Sequence, residues 1–171
     1  AAESTLTYDG TTLTLGSGQV AFPATQNAST GANVLDDYEE GTWTPVISGD
    51  GGVSGQTYDS QVGRYVKIGK LVIAYGSANL SAKGTITGNC IIDGLPFTVE
   101  NIAGARSCSV VLFNAMATSW TQILGITRVN TTFADLAGMP TAAGMSQVTV
   151  LTADIGNTTS MIFTFIYRAS A

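Results

Sequence analysis

Histidine is absent from the 171-residue chain, which removes Ser-His-Asp and Cys-His catalysis and every metal site built on imidazole. Charge is scarce as well: Asp, Glu, Lys and Arg make up 11% of the residues, against about 25% in a typical soluble domain. Thr, Ser, Asn, Gln and Gly must therefore supply the polar surface, and so little charge suits a chain that hides surface in an oligomer. Lysine occurs only at positions 67, 70 and 83, and the net charge is −5. Nucleic acid and anionic membrane surfaces both need a basic patch, so neither is expected as a partner. Cys90 and Cys108 are too few for a disulfide framework or a metal-ligand set; both lie in apolar runs, where buried free thiols are expected. No run approaches the ~18 uninterrupted apolar residues of a membrane span, so no insertion is expected. Ala1 to Thr5 has neither the basic nor the apolar region of a signal peptide. EF-hand spacing and a phosphate-cradling Gly-rich loop are also missing, and no metal or cofactor is expected.

What is present favours extended chain. Thr, Val and Ile, stiff at the first side-chain torsion, are abundant, and 20 glycines punctuate short runs. Turn residues separate candidate strands at Thr42–Ile47, Arg64–Ile68, Leu71–Tyr75, Gly84–Thr87, Cys90–Ile92, Phe97–Val99, Ser107–Phe113, Thr121–Val129, Gln147–Thr152 and Ser160–Arg168, the spacing of a sandwich or barrel. Thr132–Gly144 is the one stretch open to a helical turn. The expected fold is all-β: an antiparallel, jelly-roll-like β-sandwich over residues 35–171, preceded over residues 1–34 by a β-hairpin, a short strand at Gln19–Pro23 and a linker that form a shaft or connector.

Two hairpins follow from turn chemistry. Asp9-Gly10 predicts a type I′ turn that pairs Tyr8 with Thr11 and Leu6 with Leu13. Gly69-Lys70, with Gly first, predicts a type II′ turn that pairs Ile68 with Leu71 and Val66 with Ile73 as the apolar face. Tyr65 with Ala74 and Lys67 with Val72 then line the other face, which its lysine and tyrosine mark as solvated or partner-facing. The last strand places Met161, Phe163, Phe165 and Tyr167 on one side and Ile162, Thr164 and Ile166 on the other. Both sides are mostly apolar, so this strand is expected to be covered twice, once by a second subunit.

The most distinctive stretch is Asp36-Asp37-Tyr38-Glu39-Glu40-Gly41-Thr42-Trp43-Thr44-Pro45, which packs four of the 12 acidic residues into five positions. Gly63-Arg64-Tyr65-Val66-Lys67-Ile68-Gly69-Lys70 answers it with three of the seven basic ones. The acidic run is expected to pair with Arg64, Lys67 or Lys70 at the surface, each pair worth only ~0–1 kcal/mol and serving register. With Gly94-Leu95-Pro96-Phe97-Thr98 and Ala153-Asp154-Ile155-Gly156-Asn157-Thr158-Thr159, these stretches resemble the C-terminal, receptor-binding and trimerising domain of bacteriophage tail-fibre and tailspike proteins. The resemblance runs from about Leu35 to the end and skips roughly Arg106 to Gln147. It implies a homotrimeric fibre tip in the virion, made in the host bacterial cytoplasm and joined to other tail proteins, with a bacterial surface polysaccharide or lipopolysaccharide as its adsorption target. Trp43, Arg64 and Lys67 of the motifs, with Phe163 and Phe165 of the last strand, are read as structural or trimer-forming.

Chemistry is sparse. Paired-carboxylate glycoside hydrolysis remains open, but Asp36, Asp37, Glu39 and Glu40 read better as a solvated charge run. Asp50, Asp59, Asp93, Asp135 and Asp154 read as turn residues bonded to their own backbone. An enzyme is not the expected outcome. Sugar binding needs an aromatic platform edged by amides, hydroxyls or arginine. Trp120, outside the matched motifs, is the candidate platform, with Asn114, Gln122, Arg128 and Asn130 to bond ring hydroxyls; core packing is the equal alternative for Trp120. Three functions follow: a trimerising, glycan-binding fibre domain, a purely structural trimerisation or virion-decoration domain, and a polysaccharide depolymerase.

Overall fold

Met161, Phe163, Phe165 and Tyr167 of the last strand are buried, while Ile162, Thr164 and Ile166 are exposed. That two-residue period belongs to a strand with one covered face. The computed structural model describes residues 6–16, 19–23, 34, 35, 37–141 and 146–170. Asp36, most of the linker and residues 142–144 lie outside them. The strands are β1 (Leu6–Tyr8), β2 (Leu13–Leu15), β3 (Tyr38–Trp43), β4 (Val46–Gly49), β5 (Gly52–Ser54), β6 (Thr57–Ile68), β7 (Leu71–Ala82), β8 (Thr85–Thr87), β9 (Cys90–Asp93), β10 (Cys108–Asn114), β11 (Trp120–Thr127), β12 (Phe133–Pro140), β13 (Val148–Thr149) and β14 (Ser160–Arg168), with a 3-10 turn at Thr152–Asp154.

One antiparallel sheet dominates, in the order β3-β6-β7-β14-β10-β11-β12-β9-β4, with β13 added to β12. Its two outermost strands, β3 and β4, are consecutive in the chain and are separated only by Thr44 and Pro45. Proline cannot donate to a ladder, so the strand expected over Thr42–Ile47 breaks there, and its halves join opposite ends of the sheet. The sheet therefore curls back on itself. Side chains from β6 close the seam: the Tyr58 hydroxyl donates to the Ile47 carbonyl (3.2 Å) and accepts from its N–H (3.1 Å), and Gln61 Nε2 donates to the Pro45 carbonyl (2.9 Å). Inside lies one apolar core in which Ile47, Leu80, Ile92, Val111, Ile123, Leu136, Met161 and Phe165 are all but fully buried. Each such side chain contributes roughly 1.5–3 kcal/mol relative to exposure.

Several glycines sit beneath aromatic rings. A Cβ at Gly63 would fall 2.5 Å from the Trp43 indole nitrogen, and one at Gly138 would fall 2.4 Å from the Trp120 ring. Gly41 under Tyr65 and Gly125 under Phe165 repeat the arrangement.

The β6–β7 hairpin has the register its turn predicts, Ile68 opposite Leu71 and Val66 opposite Ile73. Its faces are the reverse of those expected. Val72, Ala74 and Lys67 are buried, whereas Ile68 and Leu71 are exposed and Val66 and Ile73 partly so. The inward lysine is accommodated because Asp37, brought alongside by β3, is buried with it. The N-terminal hairpin is also shifted: Tyr8 pairs with Leu13 and Leu6 with Leu15. The Asp9 carboxylate accepts the N–H groups of Thr11 (2.8 Å) and Thr12 (2.6 Å), and this side-chain turn makes a four-residue connection in place of a two-residue one. Gln19–Pro23 forms no strand, and Phe133–Pro140 is a strand with no helical turn; Ala134, Leu136 and Gly138 alternate inward there. Cys90 is buried as expected, but Cys108 is exposed.

Candidate functional site

The β10–β11 connection builds a concavity edged with polar groups at one end of the sheet. β10 ends at Asn114, whose Oδ1 accepts the N–H of Ala115 (2.9 Å). Ala115 then takes a left-handed conformation with φ 55°, uncommon for a residue with a Cβ. The segment after the 3-10 turn clamps it. Thr159 Oγ1 donates to the Ala115 carbonyl (2.9 Å), Ala117 N–H donates to the Asp154 carbonyl (2.8 Å), and Thr118 Oγ1 donates to Asp154 Oδ1 (2.6 Å). Asp154 Oδ2 also accepts the N–H of Leu151 (2.8 Å), so one carboxylate oxygen holds the connection and the other closes the 3-10 turn. The loop is thus a fixed one, presented at the end of a sheet, where recognition groups commonly sit.

Trp120 opens β11 beside a register irregularity that lets both Trp120 and Thr121 fit opposite the end of β12. Its ring lies on Gly138 and packs against the core, leaving part of the side chain accessible. Its indole N–H is buried and has no acceptor. With Phe113, Asn114, Ala115, Met116, Thr118 and Ser119 it lines an open cleft of about 280 Å³. Of the five residues expected to bind sugar, the structure brings together Asn114 and Trp120 only. Gln122 lies on the opposite side of β11 from the buried Ile123. Arg128 and Asn130 lie beyond the far end of that eight-residue strand, roughly 25 Å away at the usual strand rise. Arg128 is occupied there: it forks onto Asp135 (3.0 and 2.7 Å) and rests over the Phe133 ring at 5.0 Å. Asn130, at φ 62°, turns the chain and donates its N–H to the Val99 carbonyl (2.8 Å).

The residues read as structural divide similarly. Trp43, Lys67, Phe163 and Phe165 are buried. Trp43 directs its N–H to the carbonyls of Arg64 (3.2 Å) and Tyr75 (3.3 Å), while the Arg64 side chain is exposed on the outer face. The expected pairing of acidic and basic runs takes another form. Lys67 joins Asp37 in the interior, and Lys70 and Arg168 instead share Glu100. The Lys70 ammonium first, then Arg168, holds the Glu100 carboxyl below its ordinary range. Sequence reasoning did not find the Asp154–Thr118 clamp, whose partners are 36 residues apart. Its one legible signal was Asp154 within a matched motif.

Carboxylates elsewhere are similarly engaged: Glu39 accepts from Tyr65, Glu40 from Tyr38, and Asp50 from the Asn89 N–H and side-chain amide. Among the described residues no group of three or more His, Cys, Asp or Glu side chains is placed to hold a metal ion, and no helix is long and apolar enough to cross a membrane.

No family model matches the chain, and no curated protein matches it. The fold is similar to that of the Dettilon tailspike protein in its crystal structure, with a TM-score of 0.60 at 15% identity, covering 78% of this chain. The matched part is 24% of the tailspike chain, so this chain corresponds in fold to about a quarter of that protein. The architecture is tailspike-like.

Proposed function

We propose that this chain is the assembling, host-contacting domain of a phage fibre or spike. It joins copies of itself in a homotrimer and offers the Asn114–Trp120 cleft to a sugar of a bacterial surface polysaccharide or lipopolysaccharide. The observation that carries the reading is the fold, which follows part of a tailspike over 78% of this chain. The cleft supports the sugar as ligand: a partly accessible indole for an apolar sugar face, with the Asn114 amide and the Ser119 and Thr118 hydroxyls at its margin. Binding without turnover is favoured because glycoside hydrolysis needs two carboxyl groups facing one bond, and Asp154, nearest the cleft, is committed to Thr118 and Leu151.

The packing of Trp120 on Gly138 favours a second reading, a purely structural trimerisation or virion-decoration domain. Trp120→Ala and Trp120→Phe separate the two when thermal unfolding and adsorption to susceptible cells are measured together. The glycan reading expects Trp120→Phe to keep its melting temperature within a few degrees and lose at least tenfold in adsorption. Adsorption unchanged in a folded variant assigns the residue to packing and the cleft to structure.

A further inference from the structure

The outer face of β6, β7, β14 and β10 is unusual for a surface. Three outward positions from each strand form a grid: Val62, Arg64 and Val66; Ser77, Tyr75 and Ile73; Ile162, Thr164 and Ile166; Leu112, Val110 and Cys108. Arg64 is the single charged member. Val62, Tyr75, Val110, Leu112, Ile162 and Ile166 are between 44% and 66% exposed. At the usual strand spacing and rise the grid covers on the order of 400 Å² in plan. Leu124 and Ile126 extend it across β11, and Ile68 and Leu71 extend it along the hairpin as far as Arg168, an exposed charge paired beside Leu71. The whole is on the order of 600 Å² in plan, at the upper end of the largest apolar patches on monomers, ~300–600 Å². Its accessible area, greater than its plan area, approaches the ~800 Å² each partner gives to a standard interface.

The relief has both recesses and projections. A hollow of about 360 Å³ lies over small Gly76 and Ser77, walled by Val62, Arg64, Tyr75 and Ile162. A second, of about 470 Å³, lies between Val110 and Leu112 on one side and Ile162 and Ile166 on the other. Ile162 borders both hollows, and Ile166 continues its row along β14 beside the second, so one surface supplies both a projecting ridge and recesses. A sugar is a poor occupant, because hydroxyl-rich ligands need many polar partners and the grid offers Ser77, Tyr75, Thr164 and Arg64 among eight apolar or thiol side chains. We propose that a second copy of this chain covers this face, through the Ile162–Ile166 ridge and its flanking hollows. The proposal rests on the self-assembly reading above and assigns it a surface.

Cys108 is a built-in reporter: it is exposed on this face, whereas Cys90 is fully buried and its thiol is pushed up to about 12 by that burial. Light scattering after size exclusion, with the rate of thiol modification by Ellman's reagent, is measured on the native chain at micromolar concentration. The same is done for Ile162→Asp and Leu112→Asp, whose side chains face solvent in the single chain. The expected native mass is three times 17.6 kDa, with Cys108 reacting at least tenfold more slowly than free glutathione and than Cys108 of the variants, which run as monomers. Native multimers with fast Cys108 and variants of unchanged mass overturn the face while leaving self-assembly standing. A native monomer with fast Cys108 overturns both. The native rate measured against glutathione decides even if a variant fails to fold.

Discussion

The ammonium of Lys67 meets the carboxylate of Asp37 inside the curled sheet, their side chains 3% and 5% exposed. Around them Phe97 lies 5.4 Å from the ammonium, and the Asp37 carbonyl accepts the N–H of Gly69 (3.0 Å), so the pair ties β3 to the β6–β7 turn. Breaking a buried pair by removing one member typically costs ~3–5 kcal/mol, whereas replacing both by apolar groups is often near neutral. Asp37→Asn should therefore lower the unfolding free energy by about that range in urea, and Lys67→Met with Asp37→Leu should cost less than either change alone. A single substitution costing under ~1 kcal/mol would mean that the interior pair behaves as a surface one.

Gly63 and Trp43 make a second separable prediction. Because an added Cβ would meet the indole at 2.5 Å, Gly63→Ala must push the ring off its seat and away from the carbonyls that accept its N–H. Overpacking of this kind costs ~1–3 kcal/mol, and Trp43→Ala, which empties the site, ~3–5 kcal/mol. Thermal unfolding of the two variants checks the order; a Gly63→Ala protein as stable as wild type would show that the ring is free to move.

Acid should loosen the link between the β6–β7 turn and the last strand. Glu100 accepts from Lys70 (2.5 Å) and from Arg168, and its carboxyl is held below the ordinary glutamate value of about 4.3. A lowered folded-state value contributes stability that is complete above the unfolded-state value and is lost as the pH falls through the folded one. Melting temperatures of wild type and Glu100→Gln should thus differ at neutral pH and converge in acid, below the ordinary glutamate range. A constant difference across that range would remove Glu100 from the acid response.

Much of this fold could be read from local chemistry. The Gly69-Lys70 turn sets the register from Arg64 to Tyr75, and the limits of β14 agree with the expected Ser160–Arg168. Facing was misread where a partner distant in sequence decides it. Lys67 and Tyr65 look solvated until β3 carries Asp37 and Glu39 beside them, and with them inward the apolar Val66, Ile68, Leu71 and Ile73 must face outward. Phe133–Pro140 was ambiguous because two of its inward positions, Ala134 and Gly138, are small, Gly138 because the Trp120 ring lies on it. For the candidate site, Asn114 and Trp120 were legible as neighbours of one turn. Arg128 and Asn130 were not separable from them, since sequence distance alone hides that a whole strand intervenes.

Binding of the intact wild-type chain to an array of bacterial surface polysaccharides and lipopolysaccharides, with reducing ends assayed in the same wells, tests the central claim most directly. The expected result is saturable binding to a restricted set of glycans and no release of oligosaccharide. Release of oligosaccharide would make the domain a depolymerase, and no binding to any glycan by a properly assembled protein would leave it a structural one; either result contradicts the account.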